Sequence, residues 1–177
     1  MQYVGTYLAP IGKILLACDE AGLTGLWFEG AKYYGRGLEP TRQELEHPHI
    51  KAARKWLDLY FSGQRPDPVP PVHMLGTVFR REVWEILCGI PYGEVITYGE
   101  IARLVARKRG AERMSAQAVG GAVGHNPISI IIPCHRVVGT NGSLTGYAGG
   151  IDKKVWLLNH EKVDMGKYFI PQKGTAL

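Results

Sequence analysis

Four prolines fall within six residues, Pro66-Asp67-Pro68-Val69-Pro70-Pro71. Proline lacks the backbone N–H and clashes with the preceding helical turn, so this stretch continues neither a helix nor a central strand. The 177-residue chain is therefore expected in two parts, an N-terminal domain over 1–72 and a C-terminal domain over 73–170. The two parts differ in charge. Residues 1–72 hold eight Lys/Arg and eight Asp/Glu, while the remainder holds thirteen against eight, so the whole excess of +5 lies beyond the prolines. Within that excess, Arg103, Arg107, Lys108, Arg109 and Arg113 stand against Glu112 alone over eleven residues. Such a run is either a solvated helix end or a surface that meets phosphates.

Composition excludes several classes. With 45% hydrophobic and 21% charged residues the chain is not expected to be disordered. No apolar run approaches the roughly 20 residues of a membrane helix, and the opening residues do not read as a signal peptide. Three cysteines, Cys18, Cys88 and Cys134, form no CxxC pair. That argues against a disulfide framework and a cysteine-rich zinc site, and it suits a reducing, cytoplasmic location.

Hydrophobic patterning suggests an α+β chain. Gln2–Leu8, Lys13–Cys18 and Leu23–Phe28 read as three strands joined by turns at Pro10–Gly12 and Asp19–Gly22, an antiparallel meander. Gly30–Thr41 reads as a loop, and Ile50, Ala53, Trp56, Leu57, Tyr60 and Phe61 recur at helical spacing. Beyond the prolines the chain reads as mostly helical. A stripe of Phe79, Val83, Ile86, Leu87 and Ile90 predicts a helix over Thr77–Cys88. Thr97-Tyr98-Gly99-Glu100 matches a capping box at the start of another, and Ser115 is a cap ahead of Ala116–Val123. Two short helices joined by a basic stretch resemble a helix-turn-helix, with a connection longer than the usual tight turn.

Chemistry concentrates after Asn126-Pro127. Ile128–Ile132 reads as a short buried strand that ends in Pro133 and presents Cys134, His135 and Arg136 together. A thiol needs thiolate character to act as a nucleophile, and a neighbouring base or cation supplies it. Taken alone, Cys134 also reads as a structural cysteine at a strand end. Adjacent Cys and His have the wrong spacing for zinc, no protease signature accompanies the cysteine, and a redox role lacks its resolving partner.

The run Ile132-Pro133-Cys134-His135-Arg136-Val137-Val138 resembles the active-site signature of the methylated-DNA–protein-cysteine methyltransferases, the O6-alkylguanine-DNA alkyltransferases. The resemblance continues in order through Tyr92–Tyr98, Ala118–Gly121, Asn126-Pro127, Thr145–Gly150 and Lys154–Glu161. It covers 76–165 strongly and 1–70 more loosely. It implies a ribonuclease-H-like N-terminal domain and a C-terminal domain resembling winged-helix and helix-turn-helix folds. It also implies direct, single-turnover transfer of an alkyl group from guanine O6 in double-stranded DNA to Cys134. No cofactor, metal or membrane is implied, and the chain is expected to act as a monomer.

By the same resemblance, Glu161 orients His135, which takes the thiol proton through a water, and Tyr98 stabilises the leaving guanine. The carbonyls of Cys134 and Val137 and the Ala148 N–H would meet the base, and Tyr147 would line the pocket. Asn126 links the recognition helix to the active-site segment, and Arg136 joins the residues expected at substrate or DNA. The base must leave the helical stack to reach the thiol. Gln117 departs from the family, whose better-known members carry an intercalating arginine there. The longer basic segment, including Arg113, is expected to compensate in DNA affinity. Cys18 is expected in the core. The runner-up function is a non-catalytic protein that binds alkylated DNA, although such relatives lack the reactive cysteine. A transcriptional sensor would need modules for which the chain has no room.

Overall fold

The computed structural model describes residues 1–172. It divides into two compact units, one formed by residues 1–75 with 127–131 and one by residues 76–126 with those from 132 on.

The first unit is built on β1 (Tyr3–Ala9), β2 (Gly12–Cys18) and β3 (Leu23–Phe28), paired antiparallel in sequence order. The Asp19–Gly22 turn closes on itself, because the Asp19 carboxylate accepts from the Ala21 and Gly22 N–H groups at 2.9 and 3.2 Å. The expected loop after β3 is present as turns. It is followed by β4 (Gln43–Glu44), a two-residue strand parallel to β1 that no alternation could announce. The helix α1 (Pro48–Phe61) packs on the sheet, its stripe of Ile50, Ala53, Leu57 and Tyr60 fully buried with Ile14, Leu16 and Phe28. Cys18 is buried in this unit, and burial pushes its thiol up to about 11.

Residues around the prolines and residues 127–131 both run beside β3. Leu23 exchanges hydrogen bonds with Pro71 and His73 at 2.8 and 2.7 Å, and Leu26 does so with Pro127 and Ser129 at 2.8 and 3.1 Å. The outer edge of β3 is thereby covered, which removes a row of unpaired backbone groups. The expected strand over Ile128–Ile132 is corrected here. It makes a single bridge, Ile128 to Leu26, and then turns at Ile130, which takes φ +70°. A continuous apolar run signalled burial correctly and extended structure wrongly.

The second unit holds α2 (Val78–Cys88), β5 (Ile96–Thr97), α3 (Tyr98–Arg109), α4 (Ala116–Gly124), β6 (Val137–Val138) and α5 (Ile151–His160). Thr77, Thr97 and Ser115 cap α2, α3 and α4, and Thr97 forms the full reciprocal box with Glu100. The buried Trp84 indole on α2 donates to the Ala122 carbonyl on α4 at 2.8 Å. Among the described residues, no helix is long and apolar enough to cross a membrane. A Thr97→Ala substitution removes the side-chain half of the box, leaving the residue-97 backbone N–H to donate to Glu100, and is expected to cost about 1 kcal/mol. Urea unfolding of the full chain measures it, and an unchanged midpoint would mean the cap contributes nothing.

Candidate active site

Short pairings bring the chemistry-bearing residues together. Cys134–Arg136 form a single 3-10 turn that leads directly into β6. β6 pairs parallel with β5, Ile96 opposite Val137 and Thr97 opposite Val138. Tyr98, the next residue after β5, opens α3 and so lies near the turn. Asn126 holds the approach, its side-chain N–H donating to the Ile132 carbonyl at 2.8 Å.

Glu161, the residue that ends α5, is the centre of charge. Its carboxylate is buried and accepts from His135 Nε2 at 2.8 Å, from Arg136 Nε and Nη2 at 2.9 and 2.7 Å, and from the Gly93 N–H at 3.2 Å. Burial alone would raise its pKa. The hydrogen bonds from His135 and Arg136, with the positive charge of Arg136, outweigh that and hold the carboxyl well below the usual range. Gly93 sits at φ +78°, in left-handed space that suits glycine.

The expectation that Arg136 meets substrate or DNA is corrected by the structure. The side chain is buried, forks onto Glu161 and gives its remaining arm to the Ile90 carbonyl at 2.7 Å. An ionised carboxylate taken out of water needs a partner of opposite charge, and the next residue after His135 supplies it.

His135 is fully buried, and burial lowers its pKa, with Arg136 and Lys154 adding to the effect and Glu161 opposing it. The ring is therefore neutral. Since ionised Glu161 only accepts, Nε2 must carry the single proton and Nδ1 must hold a lone pair. Nδ1 is buried and has no hydrogen-bond partner among the described residues. Cys134 is buried at 5% exposure. Burial raises the Tyr98 phenol far above its ordinary pKa, helped by the charge of Cys134, and its O–H donates to the Thr145 carbonyl at 3.0 Å.

Lys154 is a site residue that sequence reasoning missed. It is wholly buried on α5, with its ammonium donating to the carbonyls of Val137 and Thr145. Burial pulls its pKa down to about 8 against an opposing pull from Cys134. Its signals were its place at the head of the Lys154–Glu161 segment and on the apolar side of a helix. The Cys134 carbonyl accepts the Val137 N–H, so both carbonyls expected to meet the base already hold one bond. Each retains a second lone pair. Tyr147 is buried and Ala148 half-buried, whereas Gln117 in the first turn of α4 and Arg113 before it are exposed.

Two family models match the chain. One, described as "6-O-methylguanine DNA methyltransferase, ribonuclease-like domain", matches residues 2–68, and one described as the "DNA binding domain" of the same methyltransferase matches residues 78–163. A relative from Methanosarcina acetivorans named methylated-DNA–protein-cysteine methyltransferase is 41% identical over 90% of this chain and 98% of its own. A protein of the same name from Haemophilus influenzae is 38% identical over 91% of this chain and 87% of its own. Among solved structures, Mycobacterium tuberculosis OGT in complex with DNA is similar with a TM-score of 0.78 and 36% identity, over 93% of this chain and 98% of that one.

Neutral His135 makes a pH test possible. The unfolded chain protonates this imidazole near pH 6.5, about the ordinary value, while the folded chain resists. Stability from the group is therefore complete above about pH 6.5 and is lost as pH falls below it. In urea unfolding between about pH 7 and 5, a His135→Gln variant is expected to show a flatter dependence than the parent. Equal slopes would contradict a neutral ring.

Proposed function

We infer the activity from one premise: the chain belongs to the 6-O-methylguanine DNA methyltransferase family. It is a DNA-repair methyltransferase that takes the alkyl group of O6-alkylguanine in duplex DNA onto its own Cys134. The observation that carries this reading is the neutral His135, fixed by ionised Glu161 with its Nδ1 lone pair left to accept a proton, beside Cys134 in one buried turn.

The steps follow from these groups. The thiol proton passes through a water to Nδ1, and the imidazolium that forms is stabilised by Glu161. The thiolate then attacks the alkyl carbon, a C–S bond forms, the C–O6 bond breaks, and its electron pair leaves with the purine. The raised pKa of Tyr98 keeps the phenol protonated, so it acts as a donor to the charge developing on the purine, turning from the Thr145 carbonyl to do so. A thioether carbon resists hydrolysis, so each chain acts once. The second lone pairs on the Cys134 and Val137 carbonyls and the Ala148 N–H meet the edge of the extruded base, with Tyr147 as a wall. Extrusion costs a few kcal/mol, less for a weakly paired lesion. The exposed face of α4, with Gln117 at its start, enters the minor groove, where Gln117 occupies the gap left by the base. Because the acceptor must be a thiol, a reducing cytoplasm is the location that suits the reaction.

With duplex DNA labelled on the O6-methyl group, one label per chain is expected on Cys134 and none in Cys134→Ala. Label transfer that survives the substitution would remove Cys134 from its role. Tyr98→Phe is expected to slow single-turnover transfer by about 10²-fold, the low end for a lost general acid. An unchanged rate would assign the tyrosine to packing alone.

A further inference from the structure

The basic run on α3 is divided by its surroundings. Arg109 Nε pairs with Glu82 at 2.8 Å, its guanidinium lying over the Phe79 ring, and Lys108 pairs with Glu85 at 3.5 Å. These two cations face α2 and brace the end of α3 against it. Arg103 and Arg107 lie one helical turn apart on a different line, an i,i+4 pair of like charges that destabilises an isolated helix. Among the described residues neither of them forms an ion pair within 4.0 Å, and nor does Arg113.

The end of α3 brings Arg113 to them. Gly110 takes φ +63° in a left-handed cap, with Gly110 N–H bonding to the Arg107 carbonyl at 3.2 Å and Ala111 N–H to the Ala106 carbonyl at 2.8 Å. This pair of bonds reverses the chain and sends residues 111–115 back beside α3. The result is a groove of about 550 Å³ walled by Arg103, Arg107 and Arg113, with Glu112 the one acid in its lining. Its floor is made of Gly99, Ala102, Ala106 and Ala111, side chains too small to keep a large group away, and its far end is Ala116, the first residue of α4.

We propose that this groove is a clamp for DNA backbone phosphates, with Arg103, Arg107 and Arg113 as its three contacts and Lys108 and Arg109 excluded from it. The inference rests on the repair function above. It names which cations of the run meet DNA, and it accounts for how duplex affinity is kept with Gln117 at the start of α4. Three guanidinium forks around a shallow, small-residue floor match an extended row of phosphates, to which Arg presents paired donors. The clamp is indifferent to base sequence, since phosphate contacts set position and affinity and read no bases.

The test is the salt dependence of binding to an undamaged duplex, followed by fluorescence anisotropy over a series of KCl concentrations. Removing one phosphate from the bound footprint lowers the slope of log K against log salt by about 0.9. The triple variant Arg103→Gln, Arg107→Gln, Arg113→Gln is expected to flatten the slope by about 2 to 3. The double variant Lys108→Gln, Arg109→Gln, which also removes positive charge from the run, is expected to change it by less than about 0.5. An unchanged slope in the triple variant, or an equal change per charge in the double variant, would overturn the clamp. Label transfer by the unsubstituted chain from an O6-methylguanine duplex is measured alongside. Transfer with unaltered slopes sinks the clamp alone, whereas no transfer sinks the repair function and the clamp with it.

Discussion

A single buried negative charge organises the second unit. Glu161 sits where desolvation of an ion costs several kcal/mol, and it remains ionised because Arg136 forks onto both its oxygens while Gly93 N–H and His135 Nε2 fill the remaining directions. The stoichiometry of charge matters as much as the bonds. Arg136 already balances Glu161, so His135 need not be an imidazolium to satisfy the carboxylate. Without the arginine, less would oppose the pull of Glu161 towards a doubly protonated ring, and a ring protonated on Nδ1 cannot accept a proton from a thiol. The buried Arg136 thus adds to the effect of burial in keeping its neighbour a base.

The walls around Cys134 are fastened by a second set of buried contacts. The Thr145 carbonyl accepts both the Tyr98 hydroxyl and the Lys154 ammonium, and the same ammonium reaches the Val137 carbonyl. One buried lysine thus joins β6, the loop before α5 and α5 itself. Gly146 lies in that loop at φ +81°, and a Cβ there would come within 2.8 Å of the Tyr98 oxygen, so only glycine lets the phenol and the loop coexist. Groups held this way need little reorganisation when a base arrives, and that is where most of an enzyme's positioning advantage lies.

Much of this was legible in the sequence wherever the controlling interaction is local. The meander over 3–28, the caps Thr97 and Ser115, and the apolar stripe of α1 depend on neighbours within a few residues, and their residue types announced them. The motif Pro133–Arg136 marked the turn, and the distant Glu161 was reached through resemblance, since spacing alone offers only a helix-end carboxylate. What was illegible depends on partners far away in sequence. Arg136 reads as a surface cation until Glu161, 25 residues on, is seen beneath it. Lys154 reads as solvated until its two carbonyl acceptors are known, and β4 exists only because β1 offers it an edge. The apolar run Ile128–Ile132 announces burial, but the turn at Ile130 is imposed by what surrounds it.

The protonation of the His135 ring tests the central claim most directly. Nitrogen-15 NMR of the selectively labelled imidazole in the full chain, free of DNA, distinguishes the two ring nitrogens. Near neutral pH the expected spectrum shows Nε2 carrying the proton and Nδ1 bare, and a Glu161→Gln variant loses that single-tautomer signature. A ring protonated on Nδ1, or on both nitrogens, in the unsubstituted protein would contradict the role of Glu161 and Arg136 in preparing a base for Cys134.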